Sequence, residues 1–271
     1  MPDRRNSEGD WSTRRRVLDH ALGDGLVVAA LIAWWLYSKR VPEYIFPSPL
    51  AVGKTLARLF TDPALLLHTL SSTLRVVAAV IAATALGSAL ALLAHYRPLA
   101  RDIVHGRIKP FLVSFPSIGW ALLAIVWFDI SNAAVIFVQV AVLLPFCLVN
   151  VSEGLKEIDR EFIEMATSFT RSNPRTFRKA VWPLLYPFVI AGMRMSSGVA
   201  WKIALIAEVF GSKSGLGHLM YQAEETADTP MIFATCLAIV VLFALGDRFI
   251  FEPLSHLYRG RPVAAHEGIA A

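Results

Sequence analysis

Four ionisable side chains, Arg75, Arg194, Lys202 and Glu208, stand in or beside stretches otherwise built from apolar residues. Groups so placed face a bundle interior or an aqueous cavity, because hydrocarbon solvates charge poorly. Cations there would favour an anionic or zwitterionic solute, since Coulomb attraction strengthens as the dielectric falls. Arg194, Lys202 and Glu208 share one segment. On an ideal helix Glu208 lies about 40° in azimuth from Arg194, and Lys202 about 80° away on the other side, so all three can face one pathway. Trp201, next to Lys202, joins them as a pathway candidate. Each charge also has a structural reading: Lys202 paired with Glu208 or a backbone carbonyl, Arg194 snorkelling to headgroups just beyond Pro187. For Arg194 and Arg75 the structural reading is preferred.

Other chemistries fail on spacing. Gly53-Lys54-Thr55 looks like the end of a phosphate-binding loop, yet the position that needs the first glycine is Ser48, between two prolines that remove backbone donors. Cys147 and Cys236 fall inside apolar segments, and the histidines are scattered without metal-ligand spacing. No metal, catalytic residue or cofactor is assigned to this chain.

The elements that must carry these charges are set by composition. Of 271 residues, 55% are hydrophobic and 17% charged, too apolar for a soluble domain of this length. The apolar residues gather near 21–37, 71–94, 110–128, 133–151, 187–210 and 231–250, predicting an all-α polytopic membrane protein of six transmembrane helices. The first is weakest: its strictly apolar run is 25–37, with Asp19 and Asp24 at its start. A signal peptide is its rival, although Trp34, Trp35 and Tyr37 lead into Lys39 and Arg40 without a cleavage site. Basic residues crowd alternate loops: Arg97, Arg101, Arg107 and Lys109, then Lys156 to Lys179, against Lys39, Arg40, Lys54, Arg58 and Lys213 on the other side. This bias puts both termini in the cytoplasm and removes nucleic acid as a partner.

Polar tails at 1–16 and 259–271 flank a membrane region at 17–258. The outer segment 41–68 opens with Pro42, Pro47 and Pro49, and its later spacing suits a short amphipathic helix at the interface. Pro116, Ser117, Gly119 and Trp120 read as packing residues or as a kink and gate. Two small-residue groups, Gly87-Ser88-Ala89 and Gly192 with Ser196 to Gly198, permit close helix approach, the second near a subunit interface. The longest cytoplasmic loop, 152–186, carries Ile158, Phe162, Met165, Ala166 and Phe169 on one helical face. Asn173 and Pro174 then start a second helix through Arg175, Phe177, Arg178 and Val181 that ends or kinks near Pro183. An apolar ridge with fixed charges suits a groove in a cytosolic partner, or it rests on the headgroups.

In this loop the sequence resembles permease subunits of binding-protein-dependent ABC importers. Their signature, Glu-Ala-Ala-x-x-x-Gly closing with Ile-x-Leu-Pro, meets Glu164-Met165-Ala166 to Thr170 and Ala180-Val181-Trp182-Pro183 here. Glu164, Ala166 and Pro183 match; Met165, Thr170, Ala180 and Trp182 depart, and a β-branched Thr170 enters a glycine turn only with strain. Phe46-Pro47-Ser48-Pro49, Ala124 to Phe128, Gly198 to Lys202, Ala207-Glu208 and Ser214-Gly215-Leu216-Gly217 look like the nitrate, sulfonate and taurine branch. The resemblance implies a type I ABC importer permease fold in the bacterial inner membrane, working as a homodimer among membrane lipid. It implies a cytosolic ATPase dimer that holds ATP and Mg, and a periplasmic solute-binding protein. The docking set would be Phe162, Glu164, Met165, Ala166, Phe169, Thr170, Arg171 and Pro183. The alternative is a secondary transporter driven by an ion gradient, which predicts internal repeats; the halves show no self-similarity, and the long asymmetric loop favours a partner.

Overall fold

Four of the described helices, α2 (Pro49–Thr61), α3 (Pro63–Tyr96), α7 (Asn132–Glu157) and α11 (Thr229–Gly246), begin behind a capping side chain. Ser48 Oγ accepts from the Ala51 N–H at 3.2 Å ahead of Pro49, Asp62 Oδ1 from Ala64 at 3.0 Å ahead of Pro63, and Asp228 Oδ1 from Met231 at 3.1 Å ahead of Pro230. A proline in the first turn loses no hydrogen bond, because that N–H has no intrahelical partner. The computed structural model describes residues 25–158, 164, 165, 168 and 172–259, and no strand occurs among them. The helices are α1 (Gly25–Ser38), α2 (Pro49–Thr61), α3 (Pro63–Tyr96), α4 (Pro98–Ile103), α5 (Lys109–Ser114), α6 (Ser117–Phe128), α7 (Asn132–Glu157), α8 (Asn173–Thr176), α9 (Trp182–Gly211), α10 (Leu216–Glu225), α11 (Thr229–Gly246) and α12 (Glu252–Arg259).

Four continuous helical stretches are long and apolar enough to cross a bilayer: α3, α7, the 35 residues Phe177–Gly211, and the 27 residues Thr229–Ser255. A fifth apolar stretch is broken, its two arms meeting at 92° between Ser114 and Ser117. Phe115 is extended there because the residue before a proline is driven out of the helical region, and Pro116 then opens α6. The expected kink is therefore a right angle. The sixth, α1, has 14 described residues, a rise of about 21 Å against about 30 Å of hydrocarbon. Residues 21–24 of that expected span lie outside the described residues. The amphipathic α2 forms as its spacing predicts, with Val52 and Leu59 buried, but α3 starts at Pro63 and absorbs the end of the outer segment.

The centre is the trio α3, α7 and α9. A Cβ on Gly87 would stand 2.7 Å from Cys147 Cβ and 2.9 Å from the Leu148 nitrogen, so only glycine lets α3 approach α7 this closely. Ser196 on α9 is fully buried with its Oγ 3.1 Å from Cys147 Sγ. Gly192 and Ser196 of the second small-residue group serve packing within the chain, because α9 turns them toward α7. Trp34, Tyr37, Phe46 and Phe233 stack to tie α1 to α11, and Trp34 Nε1–H donates to the Pro47 carbonyl at 2.9 Å.

Three π-helical turns, Val104–Ile108, Phe177–Val181 and Asp247–Phe251, share one construction. Each is closed by an N–H bonded to the carbonyl five residues back, from Lys109, Trp182 and Glu252, and each of these donors is followed by proline: Pro110, Pro183 and Pro253. A proline ring would strike the carbonyl four residues earlier in a tight α-turn; the wider turn makes room. The helix expected to end or kink near Pro183 instead runs through it as the start of α9.

Candidate functional site

The strongest constellation stands where α3, α7, α9 and the loop after α9 meet. On α3, His68, Ser72 and Arg75 fall at i, i+4 and i+7, one face of the helix. Glu208 approaches from the last turn of α9, and Asn132 from the first residue of α7. Ser212 Oγ accepts from the Ser214 N–H at 3.2 Å and donates to the Ser214 carbonyl at 2.7 Å, which folds the loop back over the cluster.

Arg75 is 6% exposed and Glu208 not at all. Arg75 Nη1 donates to Glu208 Oε1 at 2.9 Å and to the Ser214 carbonyl at 2.7 Å; Nη2 donates to Ser214 Oγ and Asn132 Oδ1, both at 2.6 Å; Nε donates to Asn132 Oδ1 at 2.9 Å. All five guanidinium donors are engaged. The second carboxylate oxygen, Oε2, accepts from Ser72 Oγ at 2.7 Å and from the Gly217 N–H at 3.0 Å, while Ser72 Oγ accepts from Leu216 N–H at 2.7 Å. His68 Nδ1 accepts from the Gly215 N–H at 3.0 Å, which assigns the ring proton to Nε2. Gly215 has φ +113°, and a Cβ there would lie 2.4 Å from Glu208 Oε2, so Ser214-Gly215-Leu216-Gly217 is the lid that a buried carboxylate requires. A pair so fully satisfied has no donor left for a solute. It fastens three spans together.

Lys202 has the opposite setting. It is exposed and has no hydrogen-bond or ion-pair partner among the described residues, on the wall of an apolar cavity of about 720 Å³ between α9, α10 and α11. The buried Trp201, the half-buried Met220 and Phe243, and the exposed Cys236 help line the space. Arg194 sits elsewhere on α9, in a two-pronged pair with Asp247: Nε to Oδ1 and Nη2 to Oδ2, both 2.6 Å. The three charges of α9 therefore do not converge on one path. Glu208 turns inward to Arg75, Lys202 to the cavity and Arg194 to the start of the π-turn at Asp247, and Glu208 is not paired with Lys202. Sequence reasoning missed Ser72, Asn132, Ser214, His68 and Asp247. The available signal was depth: Arg75 and Glu208 each lie within a turn of the same end of their expected spans.

Of the loop candidates, Glu164 and Met165 are exposed and helical, with Ser168 Oγ donating to the Glu164 carbonyl at 2.9 Å. Pro183 is half-buried in the first turn of α9. Phe162, Ala166, Phe169, Thr170 and Arg171 lie outside the described residues.

Long apolar helices that lock one ion pair away among them, with Lys202 on the wall of an apolar cavity, are the build of a polytopic membrane protein. Residues 83–250 match the family described as binding-protein-dependent transport system inner membrane component, and the chain belongs to that family. It is 24% identical over 256 residues to the taurine transport system permease protein TauC of Escherichia coli strain K12, covering 90% of this chain and 91% of that one. SsuC of the same strain, named for aliphatic sulfonates transport, is 31% identical over 137 residues, half of each chain. A solved structure of the MetNI methionine ABC transporter in an inward-facing conformation superposes with a TM-score of 0.60 at 18% identity, over 73% of this chain and 98% of that one. The fold is that of a type I ABC importer permease, and the chain is a permease subunit.

Proposed function

We propose that this permease moves a small organic anion or zwitterion of the sulfonate or taurine class, as a homodimer in the bacterial inner membrane with both termini cytoplasmic. ATP and Mg are held by a cytosolic ATPase dimer, and an extracytoplasmic binding protein delivers the solute. The single supporting observation is Lys202, a cation on an apolar wall with no partner among the described residues. An anionic head would meet the ammonium while an alkyl body meets Trp201 and Phe243, a pairing that a reduced dielectric strengthens. The segment from Phe162 to Arg171, with Pro183 at the base of α9, is the ATPase-docking element. ATPase closure pushes on this loop, and the push reaches the pathway through α9, switching access from one side to the other. Arg75 with Glu208 serves as the fixed end of that lever.

The test is purification of the tagged chain in mild detergent from its native membrane, beside a Glu164→Lys variant. An ATPase should accompany the unaltered chain and be depleted from the variant. Solute uptake by the chain alone in liposomes, driven by a sodium or proton gradient, would overturn the ATP-driven reading.

A further inference from the structure

At the end of the bundle where α7 runs out toward the 158–172 loop lies a second cavity, of about 380 Å³, with a different lining. Its walls are Ala91, Ala94 and His95 from α3, Arg101 and His105 from the α4 segment and its π-turn, and Ser152, Leu155 and Lys156 from α7. Two full cations and two imidazoles thus share one pocket, and among the described residues no carboxylate lines it. The carboxylate beside it is Glu153, which takes one donor of Lys156 at 2.9 Å, both side chains being mostly exposed. Ser152 is 7% exposed, and its hydroxyl is buried with no hydrogen-bond partner among the described residues, an arrangement that costs free energy until an acceptor arrives. A hydroxyl without a partner beside convergent donors fits a tetrahedral oxyanion, which supplies acceptors on every side.

The surroundings say how that oxyanion is presented. Leu93, Tyr96, Leu99 and Ile103, on the same two segments, are exposed large apolar side chains, Leu99 at 78%. These outward side chains mark where the bundle meets acyl chains, and basic pockets between spans at the membrane surface hold anionic headgroups. We propose that this pocket binds the phosphate of an anionic phospholipid, with Arg101, Lys156 and the Ser152 hydroxyl on the phosphate oxygens and the acyl chains running out along the exposed apolar side chains of α3 and α4. A bound lipid would clamp the end of α3 to the end of α7, beside the loop that leads to the ATPase.

The experiment uses the full chain, delipidated in detergent, titrated with phosphatidylglycerol or phosphatidylcholine and read by native mass spectrometry. Replacing Arg101 and Lys156 together by glutamine should weaken phosphatidylglycerol binding about tenfold or more and leave phosphatidylcholine unchanged. A photoactivatable phosphatidylglycerol on the unaltered chain gives a readout free of any folding defect, with adducts expected in 93–105 and 152–156. Equal phosphatidylglycerol binding by chain and variant, or adducts that map elsewhere, would overturn the proposal. Protection of this pocket by inorganic phosphate, with no lipid adduct there, would keep the oxyanion chemistry and overturn the lipid as its source.

Discussion

Arg75 and Lys202 are two cations on apolar helices with opposite fates. Around Arg75 the chain provides a carboxylate, a serine hydroxyl, an amide and a backbone carbonyl within one shell, so that every donor is met and the charge is cancelled. Around Lys202 it provides aromatic and aliphatic surface alone. A buried charge whose partner is removed becomes very costly, whereas an exposed one loses little when neutralised. The first cation is therefore an element of architecture, and the second is the one on which the proposed solute contact rests.

The sharpest way to break this contrast is to open the pair. Glu208→Leu should leave Arg75 uncompensated and cost about 3–5 kcal/mol, read as lost monodispersity or a large fall in thermal stability, while adding Arg75→Met to it should recover much of the loss. A single variant as benign as a change at Lys202 would erase the distinction. Next in size is transport: Lys202→Met should reduce ATP-driven uptake of an organic sulfonate about tenfold or more with stability unchanged, and Lys202→Arg should retain most of it. Uptake in proteoliposomes carrying the ATPase and supplied with the binding protein checks this, and equal rates would return Lys202 to a passive surface role. The smallest effect belongs to Arg194, whose pair with Asp247 has good geometry but leaves the arginine side chain about half exposed. Arg194→Ala should cost no more than about 1 kcal/mol by thermal unfolding, because water screens the pair. A larger loss would place a third cation in the architectural class.

Much of the bundle was legible in the sequence because hydrocarbon demands runs of apolar residues, and those runs survive any detail of packing. The capped start of α2 could be read from Ser48 and Pro49 for the same kind of local reason. What could not be read was where a charge points. Azimuth on an ideal helix put Arg194, Lys202 and Glu208 within reach of one path, but azimuth ignores which neighbours are present. Asn132 and Ser214 are far from Arg75 in the chain and carry no pattern of their own, so their convergence needed the fold. The behaviour at Pro183 was misread because a proline was taken to stop a helix, when a wider turn upstream accommodates it.

Those wider turns also fix a rotation. A π-turn holds one residue more than the α-turn it replaces, so each one offsets the helix beyond it by about 100° relative to the helix before it. The turn at Phe177–Val181 stands between α8 and the whole of α9. Removing one residue there would leave every helix able to form, yet α9 would arrive at its neighbours turned by more than a quarter circle. Glu208 would then miss Arg75, and Lys202 would leave its cavity. The facing of α9 toward its neighbours is thus held as an angular phase, counted in single residues.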